Sequence, residues 1–305
     1  MRALVSLPDP PFAQLADVSE PVPRPDQALV EVRAFSLNRG ECRRLAQSPA
    51  GTVTGWDLAG VVAESAGDGS GPAAGARVVG YVAAGAWAQR AAVATEHLAV
   101  LPDVVSFEHA ATLPVAGLTA LRALEVGGFI VGKRVLVTGA SGGVGRFAIQ
   151  LATLAGAHVT AVARRGDGLA ELGADQVLPE LSTDGEDFAV ALDGIGGPVL
   201  GVVLQRVAPR GTVVSYAATI PEPVSYPTRE LFSRAPGARL YGLYIFAELD
   251  HTRTASADLR RLAFLMAAGR LDPQVERVVP WTESPATIEA LLDRRVAGKA
   301  VLTVD

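Results

Sequence analysis

A chain of 305 residues, 49% hydrophobic and 19% charged, is long for one core and natural for two packed domains. Its net charge of −5 excludes the basic surface that nucleic-acid binding requires, and the balance of apolar and charged residues excludes a disordered chain. No apolar run reaches the roughly 18 residues of a membrane-spanning helix, the opening MRALVSLPDP lacks the pattern of a secretory signal, and the lone cysteine, Cys42, allows no internal disulfide, so a cytoplasmic protein is expected.

Residues 1–112 read as β-rich. Short apolar or alternating runs recur at 28–32, 60–63, 77–82 and 89–93, punctuated by clusters such as Pro21-Val22-Pro23-Arg24-Pro25. Short strands at this spacing predict a partly closed β-barrel or a sandwich. The Ala/Leu-rich segment 107–126 predicts one helix or two. From 113 onward strands and helices alternate: a buried strand at 134–138, a Gly-rich turn, a helix over 146–155, a strand at 158–163, a short helix at 167–173, and strands at 188–193, 212–216 and 239–243. That rhythm predicts βαβ units and a parallel sheet. A strand at 275–280, a helix over 284–297 and a strand at 299–304 are expected to rejoin the first domain. The division is thus 1–112 with 271–305, and 113–270.

The sharpest motif is Gly139-Ala140-Ser141-Gly142-Gly143-Val144-Gly145, which follows a strand and opens a helix. Glycines let a pyrophosphate approach the backbone closely, and the free N–H groups at a helix N-terminus bind its oxygens. An NAD site places Asp or Glu at the tip of the next strand for the ribose 2′-hydroxyl. Here that strand ends Ala163-Arg164-Arg165, with no acid before Asp167. Paired guanidinium donors suit a 2′-phosphate, so NADPH is the expected cofactor. The stretch 138–145 also fits the turn of short-chain dehydrogenases. That family relies on a Tyr-x-x-x-Lys pair, and with lysine only at 133 and 299 no tyrosine here has such a partner.

Taken together, Gly55-Trp56-Asp57-Leu58-Ala59-Gly60-Val61-Val62, Ala116-Gly117-Leu118-Thr119-Ala120, the turn 139–145 and Gly298-Lys299-Ala300-Val301-Leu302 occur in an order that resembles the medium-chain dehydrogenase/reductase superfamily, nearest its zinc-free quinone oxidoreductases, which are zeta-crystallin-like. The resemblance covers nearly the whole chain. It implies an α/β protein with a GroES-like β-barrel catalytic domain, a Rossmann doubly wound parallel-sheet cofactor domain, an active site in the cleft between them, and a homodimer paired through the cofactor domains. Zinc-dependent relatives carry a cysteine ligand where this chain has Asn38 and a histidine ligand where it has Trp56, so no metal is expected. Cys42 is off register and is read as packing.

Without a metal to polarise a carbonyl, the resemblance implies an easier hydride acceptor, a quinone or the alkene of an α,β-unsaturated carbonyl. The developing anion needs hydrogen-bond donors and then a proton. Asn38 is the first candidate, for orienting cofactor or substrate. Tyr81 is a candidate donor, with a packed aromatic as the alternative. For the cofactor the candidates are Asn38, Thr119, Ser141, Gly142, Gly143, Val144, Ala163, Arg164, Arg165, Ser215, Ala217, Leu243 and Tyr244. No general acid stands out, which leaves water as a proton source. Two alternatives stay open: an enoyl-thioester reductase like those of polyketide synthases, and a non-catalytic NADPH-binding protein of crystallin type.

Overall fold

The structure, a computed structural model, describes residues 1–305. The chain forms two compact units, Met1–Leu118 with Leu249–Asp305, and Thr119–Glu248.

The first unit opens with an antiparallel ribbon of β1 (Arg2–Ser6) and β2 (Ala13–Asp17). The eleven-residue β3 (Gln27–Leu37) follows, then the short helix α1 (Arg39–Arg44), β4 (Asp57–Glu64), β5 (Arg77–Tyr81), β6 (Arg90–Ala94), β7 (Leu98–Val100) and helix α2 (Phe107–Ala110). β3 alternates and then runs apolar because its length serves three partners: β6 along its first half, β4 through most of it, and a C-terminal strand along its last residues. Its register against β4 shifts twice, which bends the sheet as bulges do. The segment expected as one helix or two over 107–126 is α2, a π-helical turn (Leu113–Gly117) and α3 (Leu118–Gly127).

The second unit is built on β8 (Arg134–Thr138), helix α4 (Gly143–Leu154), β9 (His158–Val162), β10 (Gln176–Leu178), β11 (Phe188–Asp193), α5 (Gly197–Gln205), β12 (Val207–Ser215), α6 (Thr228–Arg234) and β13 (Arg239–Gly242). The six strands are all parallel in the order β10-β9-β8-β11-β12-β13. Numbered from β8 this is 3-2-1-4-5-6, the doubly wound order of dinucleotide-binding sheets, with its reversal between β8 and β11. Leu136, Val162, Ala191, Val213, Leu200 and Val203 form the core beneath it. The helix expected at 167–173 is a run of turns, because Gly168 and Gly173 both take positive φ (73° and 103°) and interrupt any helical hydrogen-bond ladder.

After α7 (Ile245–Thr252) come α8 (Ala255–Ala267), β14 (Val275–Pro280), α9 (Ser284–Leu292) and β15 (Lys299–Thr303). α8 lies in the span expected for the cofactor domain, yet it packs on β7 and the π-helical turn of the first unit. Its buried face of Leu259, Leu262, Ala263 and Met266 explains this, as does Gly117, whose missing side chain admits Leu262. β15 pairs with β3 and β14, completing a seven-stranded sheet in which Phe35 stacks on the fully buried Trp87 at 5.7 Å. Cys42 sits in the same core.

Candidate functional site

Ligands of doubly wound sheets bind beyond the carboxyl ends of the strands at the reversal of strand order. In this chain that rim carries the turn 139–145 after β8. Gly142 is the N-cap of α4, no side chain caps the helix, and its first turn holds no acid, so the positive end of the helix is open to an anion. A Cβ at Gly145 would stand 2.6 Å from the Cα of Ala140 and 2.7 Å from two backbone oxygens, so only glycine allows the turn to fold this tightly. These features fit a pyrophosphate.

The other sequence-predicted residues of this unit gather on the same rim. Ala163 follows β9 with its N–H donated to Leu178 O, and Arg164 and Arg165 stand exposed beyond it. Ser215 ends β12 and Ala217 follows it, and Leu243 and Tyr244 follow β13. Leu243 N donates to Ser215 O at 2.9 Å, tying these two loops together. Leu243 is buried and Tyr244 exposed. Thr119 is buried in the first turn of α3.

Sequence reasoning missed a second glycine loop on this rim. Asp193 ends β11 and Gly194-Ile195-Gly196-Gly197 follows it. The Asp193 carboxylate is fully buried and accepts from the Thr138 hydroxyl (2.6 Å) and from the backbone N–H groups of Gly196 (2.9 Å) and Ile195 (3.4 Å). Burial pushes its carboxyl above the usual range, and those three donors pull against it. The signal in the sequence is Gly194 and the pair Gly196-Gly197 directly after a strand.

In the first unit, Asn38 caps α1 at the end of β3 and lies within a buried polar cluster. Its side-chain N–H groups donate to Glu41 Oε1 (3.0 Å) and Asp57 Oδ2 (2.7 Å), while its Oδ1 accepts from the Lys299 ammonium at 2.7 Å. Lys299 also donates to Leu37 O and stands 3.5 Å from Asp57. Ser36 and Val115 N donate to Asp57, and Asn38 N and Trp56 N donate to Glu41. Burial, and after it the neighbouring Asp57 charge, pushes Glu41 up to about 8; the N–H groups of Asn38 and the Lys299 ammonium oppose that rise. With both amide hydrogens donated to Glu41 and Asp57 and its Oδ1 accepting from Lys299, Asn38 has no hydrogen left to donate to a ligand, which narrows the orienting role expected of it.

Tyr81, expected as a candidate donor, is 3% exposed and stacks on His97 with ring centroids 4.3 Å apart. Burial first, then Asp250 and Glu96, raises its phenol above the ordinary tyrosine range. No group of three or more His, Cys, Asp or Glu side chains is placed to hold a metal ion.

Comparison with known proteins agrees with this architecture. Residues 24–103 match the alcohol dehydrogenase GroES-like domain, and residues 172–302 match the zinc-binding dehydrogenase family. The chain is 33% identical over 209 residues to the trans-enoyl reductase tazE of Aspergillus terreus, covering 60% of this chain and 69% of that protein. It is 32% identical over 293 residues to the spectinabilin polyketide synthase system protein NorB of Streptomyces orinoci, covering 92% of this chain but only 13% of that protein. The quinone oxidoreductase from Coxiella burnetii superposes with a TM-score of 0.83 at 26% identity, over 100% of this chain and 99% of that one. The chain belongs to the medium-chain dehydrogenase/reductase superfamily, in its quinone oxidoreductase-like branch, with a GroES-like domain and a Rossmann domain. It is thus a member of a family of nicotinamide-dinucleotide-dependent oxidoreductases.

Proposed function

We propose that this chain is an NADPH-dependent, zinc-independent reductase of quinones or α,β-unsaturated carbonyls. The observation that carries the reading is the parallel-sheet rim: an open helix N-terminus in a glycine cradle at the strand-order reversal, with two exposed arginines and no carboxylate at the tip of β9. In this reading Ser141, Gly143 and Val144 present N–H groups to the pyrophosphate, and Gly142, whose N–H donates to Gly139 O, lets the phosphates approach the backbone closely. Arg164 and Arg165 take the 2′-phosphate through paired donors. Thr119, Ala163, Ser215, Ala217, Leu243 and Tyr244 complete the dinucleotide site. Bound NADPH supplies the hydride. Asn38, fixed by Glu41, Asp57 and Lys299, orients the reactants, and Tyr81, whose phenol is held protonated, is the side-chain donor. Zinc independence rests on Asn38 and Trp56 at the ligand positions of zinc-dependent relatives, and on the engagement of Asn38 by Glu41, Asp57 and Lys299.

The cytoplasm is the proposed location, and no helix is long and apolar enough to cross a membrane. The proposed assembly is a homodimer paired along β13, whose outer edge has no strand beside it and exposes Leu240 and Tyr241. The test is cofactor titration followed by turnover of NADPH with a panel of quinones and enones. Silence across the panel, in protein that binds NADPH, overturns the acceptor assignment. The likeness to a trans-enoyl reductase and a polyketide synthase protein favours one second reading, an enoyl-thioester reductase. Turnover of a crotonyl thioester without turnover of quinones selects it.

A further inference from the structure

The register between β8 and β11 sets Val137 beside Leu192, so the next residue on each strand, Thr138 and Asp193, meet at the reversal point of the sheet. Their side chains are bonded at 2.6 Å, and they collect the start of the second glycine loop between them. Gly194 N donates to Thr138 Oγ1 (3.2 Å), Ile195 N to Asp193 Oδ1 (3.4 Å) and Gly196 N to Asp193 Oδ2 (2.9 Å). Three consecutive backbone N–H groups thus turn inward onto one hydroxyl and one carboxylate. The path of the loop depends on glycine: a Cβ at Gly194 would run into the Tyr216 ring, and Gly196 and Gly197 hold φ of 76° and 53°. Its outer side faces the nucleotide turn. A Cβ at Gly139 would stand 3.5 Å from Ile195 Cγ1 and 3.7 Å from the backbone of Gly194. Two glycine loops therefore abut, one on each side of the strand-order reversal, and the Thr138–Asp193 pair fastens them.

We infer that Asp193 is a positioning residue: together with Thr138 it holds loop 194–197 against the nucleotide turn, in the place that accepts the nicotinamide half of the dinucleotide. The inference rests on the dinucleotide reading proposed above. A dinucleotide whose pyrophosphate lies on the turn after β8 extends one half to each side of that strand. The half carrying the 2′-phosphate goes toward β9, where Arg164 and Arg165 stand. The nicotinamide half goes toward β11 and β12. Asp193 touches neither half and acts through the loop. A change at Asp193 therefore affects one half of the ligand and spares the other, which a general loss of fold cannot do.

The experiment titrates the full chain with NADPH and, separately, with adenosine 2′,5′-bisphosphate, which contains only the adenine half. It uses the wild type, Asp193→Asn, Thr138→Val and Thr138→Ser. The expected result is a loss of about tenfold or more in NADPH affinity for Asp193→Asn and Thr138→Val, the scale of one lost hydrogen bond. Adenosine 2′,5′-bisphosphate binding stays unchanged, and Thr138→Ser recovers NADPH affinity. Equal losses for both ligands, or unchanged NADPH affinity in the variants, overturns the inference. A wild type that binds neither ligand overturns the dinucleotide reading, and the inference falls with it. Should Asp193→Asn fail to fold, the Thr138→Val and Thr138→Ser pair decides the question by the same criteria.

Discussion

The ammonium of Lys299 donates to Asn38 Oδ1 at 2.7 Å, across 261 residues of chain, and this bond joins the start of β15 to the end of β3. Around it lie two buried carboxylates, Asp57 and Glu41, and a single cation.

Replacing Lys299 with Met keeps the length of the side chain and removes the charge. Asp57 is then buried with no cation, the circumstance in which breaking a buried pair costs about 3–5 kcal/mol. Thermal and urea unfolding should both report a large loss of stability.

The same cluster predicts a pH dependence. Glu41 is pushed up to about 8 from 4.5, so the folded protein holds this proton more tightly than the unfolded chain does. The stabilisation is full below about pH 4.5 and is lost as pH rises through about 8. Urea unfolding between pH 5 and 9 should show stability falling across that window, and Glu41→Gln should flatten the fall. An equal slope in the variant removes Glu41 as its source.

Gly145→Ala forces a methyl to within 2.6 Å of the Ala140 Cα. The cost in stability should be about 1–3 kcal/mol, typical of overpacking. NADPH affinity should fall further than stability does, because the turn that presents the N–H groups must open to admit the methyl. Titration of folded variant protein distinguishes the two effects.

Arg164→Ala with Arg165→Ala removes two exposed side chains beyond the tip of β9. Unfolding should be nearly unaffected. NADPH should weaken by roughly tenfold to a hundredfold, in keeping with charge-assisted hydrogen bonds, while NADH affinity stays where it was. Equal weakening of both nucleotides contradicts the assignment of a 2′-phosphate site.

Leu240→Asp places a charge on the outer edge of β13, where the leucine is 55% exposed. If two copies pair along this edge, the variant sediments as a monomer with its unfolding midpoint lowered only by the loss of the partner. A wild-type chain that is monomeric at all concentrations contradicts the assembly.

Much of the fold was legible because apolar runs and glycine punctuation mark parallel strands well. β8, β9, β11 and β13 lie where the pattern puts them, and β12 starts at Val207 rather than at Thr212. Helices were harder. α5 and α8 were passed over, since Pro198 and two glycines disguise the start of one and Arg260-Arg261 interrupts the apolar pattern of the other. The nucleotide turn was legible as a contiguous motif. The Asn38 cluster was not, because Asn38, Glu41, Asp57 and Lys299 come from three separate stretches whose proximity depends on β3, β4 and β15 pairing. Lys299 belongs to the C-terminal motif 298–302, yet nothing local announces that its ammonium lies buried against Asn38. Asp193 read as the polar end of a strand, and only the β8–β11 register reveals what it holds.

The barrel unit is assembled from two lengths of chain, Met1–Leu118 and Leu249–Asp305, with the whole parallel-sheet unit encoded between them. On the ribosome, β3 therefore emerges long before β15, and the carboxylates of Glu41 and Asp57 wait for their cation until after the inserted unit has been made. The inserted unit needs nothing from β15 and can close first, as units of contiguous chain do during synthesis. The barrel unit then becomes a late product of translation. A ribosome stalled before residue 299 leaves the edge of β3 unpaired and two acidic side chains without their ammonium, so such truncated chains should be preferred substrates for proteolysis over the full-length protein.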